Sequence, residues 1–280
     1  MGLLRMYIRH FVKKVKRSVK QRVNGRFSKD NFGVKWWELK RLEYAPRYWH
    51  TQSSLLGKKI ELTDPFCYLR GYREIFLEQI YKFSVDKTCP LIIDCGANIG
   101  LSVIYFKYLY PEARIVAFEP DPEIFSVLQR NVRRFGFTDV ELYQNAVWTS
   151  NGELAFRSTG AGDGRVMTED QEKGLIRVPT VRLDDFMNQK IDFLKIDIEG
   201  AEYEVIKDCQ NNLDAVNYFF IEYHGDRKEI QTLHEILRIL QNAGFRYHIR
   251  EANPILHPFI KKERQKRLYD LQLNLFGFRC

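Results

Sequence analysis

Hydrophobic periodicity changes character at residue 91. "LIIDC" (residues 91–95) is a short continuous apolar run, and "LSVIYFKYLY" behind it repeats at helical spacing until Pro111 stops it. "RIVAFEP" reads as a second strand, "PEIFSVLQRNVRRF" as a helix capped by Gly136, and "VELYQNAVW" as a third strand. Strands and helices alternating at these lengths predict a parallel sheet covered on both faces.

The alternation lapses between Asn151 and Leu183. There "GELAFRS" and "IRVPTVRL" predict short antiparallel strands around a glycine-rich loop, Ser158 to Gly174. It resumes with strand "DFLKIDI", helix "AEYEVIKDC", strand "AVNYFFIEYH" and helix "KEIQTLHEILRILQNAG". The final runs, "FRYHIRE" and "LQLNLFGFR", are separated by a basic stretch from Lys261 to Arg267 and no convincing helix, so an antiparallel hairpin is predicted.

Upstream the pattern differs. Leu4, Ile8, Phe11, Val12, Val15, Val19 and Val23 recur at helical spacing among lysines and arginines, which predicts an amphipathic helix within residues 1–29. Residues 30–88 form a polar and aromatic lead-in. Its piece "WWELKRLEYAPRYWH" reads as irregular, broken by Pro46, while "REIFLEQIYKF" has helical periodicity suited to packing on the sheet or lidding a site. The division predicted is a basic arm (1–29), the lead-in (30–88) and one large domain (89–280).

Composition refines this. The 280 residues are 45% hydrophobic and 29% charged, as in a globular protein, with no apolar run of membrane-spanning length and no secretory h-region. Five scattered cysteines without a C-x-x-C pair argue against a disulfide framework or structural zinc and for a reducing cytosol, so a cytoplasmic location is predicted. The net charge of +8 is uneven: ten bases and no acid precede Asp30, which leaves 34 bases against 36 acids beyond the arm. The arm suits peripheral contact with an anionic membrane, or packing on protein. Nucleic acid is not predicted, because a charge run without a binding fold is weak ground. Nothing in the sequence indicates an oligomeric state.

In an open α/β sheet ligands sit beyond the carboxyl ends of the strands, and the unusual residues of this chain collect there. "DCGANIG" ends the first strand: Gly96 and Gly100 admit close backbone approach, and the helix behind offers N–H groups and a positive dipole end. Alone, such a turn is equally a tight bend needing small residues. Glu119, 19 residues after Gly100, is placed to accept hydrogen bonds from a ribose, with Asp121 the better candidate to cap the next helix. The spacing G-A-N-I-G departs from G-x-G-x-x-G, which favours an adenosyl ligand without a pyrophosphate over NAD. At the third strand end Asn145 and Ala146 are placed to meet an adenine edge.

The fourth strand end reads "KIDIEGAE". Period two puts Lys195, Asp197 and Glu199 on one face, and the next strand end adds Glu222 and His224. Carboxylates and an imidazole at neighbouring strand ends suit general-base chemistry or an ion, the bland alternative being an ion-paired cap with Lys195 neutralising Asp197. A divalent ion bridging the carboxylates is chemically compatible, but no metal ligand set is predicted.

As an ordered series, "LIIDCGANIG", "VAFEPDP", "NAV" before "GEL", "LDDF", "DFLKIDIEGAE" and "IEYH" resemble the FkbM family of S-adenosylmethionine-dependent methyltransferases over roughly residues 85–250. The resemblance implies the Rossmann-like class I methyltransferase fold: α/β, a mostly parallel seven-stranded sheet, helices on both faces and an antiparallel last strand. It implies S-adenosylmethionine as cofactor, with Asp94, Gly96, Ala97, Asn98 and Gly100 at its amino-acid end, Glu119 at the ribose, and Asn145 and Ala146 near adenine. It also implies O-methylation of a sugar, a glycan or glycolipid, or a secondary metabolite. Asp197, Glu199, Glu222 and His224 are the catalytic candidates from position and chemistry, with Asp197 or His224 as base. The rivals are an NAD-linked oxidoreductase and a non-catalytic adenosyl-binding module.

Overall fold

The computed structural model describes residues 32–158, 160, 164–167, 175–260 and 268–279, so the arm predicted over 1–29 lies outside the described residues. The lead-in consists of helix α1 (Trp36–Glu43), hairpin β1 (Thr51–Leu55) and β2 (Lys58–Leu62), and helix α2 (Pro65–Gly71), which runs on as a π-helical turn, Tyr72–Leu77. The alternating section follows as β3 (Leu91–Cys95), α3 (Leu101–Leu109), β4 (Arg114–Phe118), α4 (Pro122–Phe135) and β5 (Val140–Tyr143). Four short strands come next: β6 (Ala146–Trp148), β7 (Gly152–Arg157), β8 (Arg165–Met167) and β9 (Ile176–Arg182). The chain then makes β10 (Ile191–Ile196), α5 (Glu202–Asp208), β11 (Val216–Asp226), α6 (Leu233–Asn242), β12 (Arg246–Glu251) and β13 (Tyr269–Phe278).

Seven strands form one sheet in the order β12-β13-β11-β10-β3-β4-β5. β11 through β5 run parallel, and β13 lies antiparallel between β11 and β12. This is the sheet that the resemblance implied, mostly parallel and seven-stranded, with one antiparallel strand from the end of the chain. The predicted terminal hairpin is present, and its second strand is the one inserted into the sheet.

Alternate residues of the central strands feed two cores. Ile92, Phe193 and Phe220 face α3, α4 and the lead-in, whereas Ile93, Leu194 and Ile221 face α5 and α6. The most local sequence signals act at α4. Asp121 accepts hydrogen bonds from the N–H groups of Glu123 and Ile124, Pro122 opens the helix, and Gly136 closes it in the left-handed conformation. A cap of this kind stabilises a helix by about 1 kcal/mol.

Three expectations change. "VELYQNAVW" is two strands in two sheets: β5 ends at Tyr143, and β6 pairs in parallel with β9 in the smaller sheet. Polar Gln144 and Asn145 carry the chain between sheets, and the distant β9 leaves no mark in the local pattern. "WWELKRLE" is helical rather than irregular, although its buried face contains a carboxylate: Glu38 accepts from the Ser54 hydroxyl at 3.0 Å and from the Lys35 N–H at 3.2 Å. The helical stretch expected at Arg73 starts earlier, at Pro65, because Asp64 caps it by accepting from the Cys67 N–H.

Candidate active site

Every element at the β3–β4 end bonds to another. The N–H groups of Gly96 and Ala97 donate to the Phe118 carbonyl at the end of β4, at 3.0 and 2.8 Å. The Asn98 N–H donates to Glu119 Oε2 at 2.9 Å, and the Asp121 N–H donates to Glu119 Oε1 at 3.0 Å. Three N–H groups of the turn expected to cradle a ligand are thus already engaged. The glycines serve this packing as well: a Cβ on Gly96 would sit 1.9 Å from the Asp197 carbonyl oxygen, and one on Gly100 would sit 2.8 Å from Leu128 Cδ1. From α4, buried Asn131 donates to the Ile99 carbonyl and ties the turn to β2 through Glu61.

Asp94 is fully buried. It accepts from the Ser102 hydroxyl and pairs with Lys195 Nζ at 3.1 Å, its direct partner across β3 and β10. Lys195 also donates to the Gly96 carbonyl at 2.8 Å and lies 3.5 Å from Asp197, so one buried cation pins two strand ends. Asp94, Ala97 and Gly100 therefore support the turn from inside. Gly96, Asn98, Glu119, Asn145 and Ala146 line a cleft, together with Asp197, Glu199 and the apolar Phe118, Ile124 and Phe156. Burial pushes the Glu119 carboxyl up to about 8, against its backbone hydrogen bonds.

Asp197 and Glu199, which line the far end of that cleft, come together with the buried Glu222 and His224 behind them. Period two accounts for only part of this. Asp197 continues β10 by donating its N–H to the Cys95 carbonyl at 3.1 Å, but Glu199 arrives through a left-handed turn at φ +57°. Such a conformation costs a residue with a Cβ about 1–3 kcal/mol. Glu202 at the start of α5 organises the turn: its carboxylate accepts from the N–H groups of Ile198 and Gly200 and lies 3.0 Å from His224 Nδ1. His224 Nε2 lies 3.4 Å from Glu199 and 3.7 Å from Glu222. Burial alone would lower the imidazole pKa, but Glu199 and Glu202 hold it well above the ordinary histidine value. Burial, then the Glu222 charge, raise Asp197.

Four contributors were not singled out from the sequence. Arg70 of α2 donates to Glu222 at 2.9 Å across 152 residues of sequence. Tyr269 donates its hydroxyl to Glu199 at 3.0 Å, and Gln272 donates to Glu222 from the position directly opposite His224. Glu202 read only as helix. Two of these sit on β13, whose place beside β11 is a property of the sheet and not of any window. A wider hollow lined by Trp37, Arg41, His50 and Glu61 lies away from these strand ends.

The model of the "Methyltransferase FkbM domain" family matches residues 94–247, from the buried Asp94 to the start of β12. The chain belongs to the FkbM methyltransferase family. It is 27% identical over 226 residues to "Methyltransferase 1" of Beauveria bassiana, covering 68% of this chain and 90% of that protein. It is 30% identical over 174 residues to "Hexuronic acid methyltransferase AglP" of Haloferax volcanii, covering 59% and 68%. It is also 30% identical over 161 residues to "2-O-methyltransferase NoeI" of Sinorhizobium fredii, covering 50% and 65%. Methyl transfer is therefore the chemistry of this FkbM protein, and its matched span contains the glycine turn, Glu119 and the whole acid cluster.

Proposed function

We propose that the chain transfers a methyl group from S-adenosylmethionine to a hydroxyl of a sugar, glycolipid or other small metabolite. One observation carries this: a single cleft runs from Glu119 to Asp197 and Glu199 across adjacent strand ends. The residues suit the cofactor. Each oxygen of the Glu119 carboxylate accepts one backbone N–H and keeps a lone pair for a ribose hydroxyl. Phe118, Ile124 and Phe156 give an adenine apolar contact, with Asn145 beside them. The bound cofactor supplies an activated methyl group. The chain's own residues must align the acceptor with it and take the hydroxyl proton.

Asp197 is assigned that proton. It lines the cleft, and Lys195 at 3.5 Å is its ion-pair partner. His224 is not the base in this scheme: its side chain is fully buried, with Nδ1 on Glu202 and Nε2 at 3.1 Å from Gln272. Glu199, held by Tyr269, and Glu222, held by Arg70, orient the acceptor. The sugar and 2-O names of two relatives support the acceptor class. The expected result for Asp197→Asn is loss of methyl transfer from radiolabelled S-adenosylmethionine with cofactor binding retained; unchanged turnover would remove Asp197 from this role.

A second reading concerns location. No helix among the described residues is long and apolar enough to cross a membrane. Trp36 and Trp37 on α1 and Tyr44 at its C-terminal cap are 70%, 50% and 79% exposed, and α1 also carries Lys40 and Arg41. Aromatic and basic residues together suit a membrane interface. In sequence these residues come shortly after the basic stretch of residues 1–29, which supports a lipid-linked or membrane-proximal acceptor.

A further inference from the structure

Acids outnumber bases where the cleft ends. Asp94 and Asp197 pair with Lys195, Glu222 pairs with Arg70, and Glu199 and Glu202 flank His224. Within this group one donor atom each of Asp197, Glu199 and His224 lie within 4.8 Å of one another. The imidazole separates this arrangement from a solvated acidic patch. It is wholly buried, it comes from a different strand, and Glu202 fixes its Nδ1 so that Nε2 turns toward Glu199 at 3.4 Å; Gln272, which approaches the same Nε2 at 3.1 Å, is the group an ion would displace. A carboxylate behind a ligating histidine is the usual way a protein sets tautomer and ring orientation at a metal. An independent sign lies on β13. Asn274 stands directly across from Glu222, on the same face, and its side-chain oxygen is buried with no hydrogen-bond donor among the described residues. This leaves a buried acceptor without a donor beside Glu222, on the face that Glu222 and His224 share.

We propose that Asp197, Glu199 and His224 bind one divalent cation, with Glu202 orienting the imidazole, and that this ion holds the methyl acceptor through two neighbouring oxygens. The proposal rests on the methyltransferase reading and adds the substrate class: a vicinal diol or a 2-hydroxy acid. Two carboxylate oxygens and one imidazole suit manganese or another first-row divalent ion better than magnesium, and an octahedral ion so held keeps positions open for a chelating acceptor on its cleft side. The ion makes the acceptor hydroxyl easier to deprotonate. The hydroxyl proton passes to the carboxylate oxygen of Asp197 that does not bind the ion. The acceptor oxygen then bonds to the methyl carbon, the carbon–sulfur bond breaks, and its electron pair stays on sulfur as a neutral thioether.

The test uses the full chain stripped of metal and titrated with Mn²⁺ under electron paramagnetic resonance. Binding of S-adenosylmethionine is measured by calorimetry on the same samples. Wild type is expected to take up one Mn²⁺ per chain. His224→Ala should weaken uptake at least tenfold, and Glu202→Gln about tenfold to a hundredfold. Both variants should keep cofactor binding, which shows that they are folded. Uptake that is absent in wild type, or equal in wild type and both variants, overturns the proposal. Cofactor binding without Mn²⁺ uptake overturns the cation alone, whereas loss of both in wild type overturns the methyltransferase reading beneath it.

Discussion

Gly96→Ala asks what the glycine turn is for. Gly96 sits at φ +87°, and a Cβ there would lie 1.9 Å from the Asp197 carbonyl oxygen. That oxygen is backbone, held in place by the bond from the Asp197 N–H to Cys95, so it cannot swing aside as a side chain would. The left-handed conformation costs a residue with a Cβ about 1–2 kcal/mol. Moving backbone to relieve the overlap costs about 1–3 kcal/mol more. The sum, about 2–5 kcal/mol, lowers the melting temperature by roughly 4–20 °C at about 2–4 °C per kcal/mol. Gly100→Ala is the control. Its φ of +92° carries similar strain, but its Cβ would meet the movable end of Leu128 at 2.8 Å, so only the first cost of about 1–2 kcal/mol applies. Thermal unfolding of both variants is followed by circular dichroism without cofactor. If Gly96→Ala melts no lower than Gly100→Ala and loses only cofactor affinity, the glycine is there for the ligand and the packing account is refuted.

Other outcomes follow from the same contacts. Glu119→Ala should weaken S-adenosylmethionine about a hundredfold or more in calorimetry, since two hydrogen bonds to a charged group, at about 1.5–3 kcal/mol each, are lost. Because burial raises the Glu119 carboxyl from 4.5 to about 8, its folding contribution is complete below about 4.5 and is lost as pH rises toward about 8. Cofactor hydroxyls favour the ionised form, so affinity should rise with pH through about 8 in wild type and not in Glu119→Gln; a flat wild-type profile would contradict this. Arg70→Met removes the partner of Glu222 and Glu74. As the arginine is partly exposed, the stability loss should be only about 1–2 kcal/mol, with methyl transfer reduced and cofactor binding kept; full activity would free Arg70 of any role at the acceptor end. Deleting residues 1–29 together with Trp36→Ala and Trp37→Ala should abolish sedimentation with phosphatidylglycerol vesicles, and binding to neutral and anionic vesicles alike would defeat the electrostatic reading.

Much of the sheet was legible because each central strand carries its own signal. "LIIDC" and "DFLKIDI" put apolar side chains on both faces, as strands covered on both sides must, before Asp94, Lys195 and Asp197 mark their carboxyl ends, and α4 announces both its ends with Asp121, Pro122 and Gly136. Chemistry at the strand ends was legible for the same reason: Asp197 and Glu119 sit where an apolar run stops. What local pattern withheld was partnership. Nothing near Asn145 shows that β6 leaves the main sheet for β9, and nothing near Arg70 points to Glu222. The glycines illustrate a different limit. Sequence marks them as places where a Cβ is unwelcome, but only the fold shows that the atoms excluding it at Gly96 belong to Asp197. Glu199 reached the cluster through a turn that strand periodicity does not describe, shaped by Glu202 three residues on.

The account stands or falls on the cleft as an adenosyl site. Calorimetry of the full chain against S-adenosylmethionine and NAD tests this most directly. The expected result is one saturable site for S-adenosylmethionine, weakened by Glu119→Ala, and no heat from NAD. NAD binding in place of S-adenosylmethionine, or S-adenosylmethionine binding indifferent to Glu119→Ala, would contradict it.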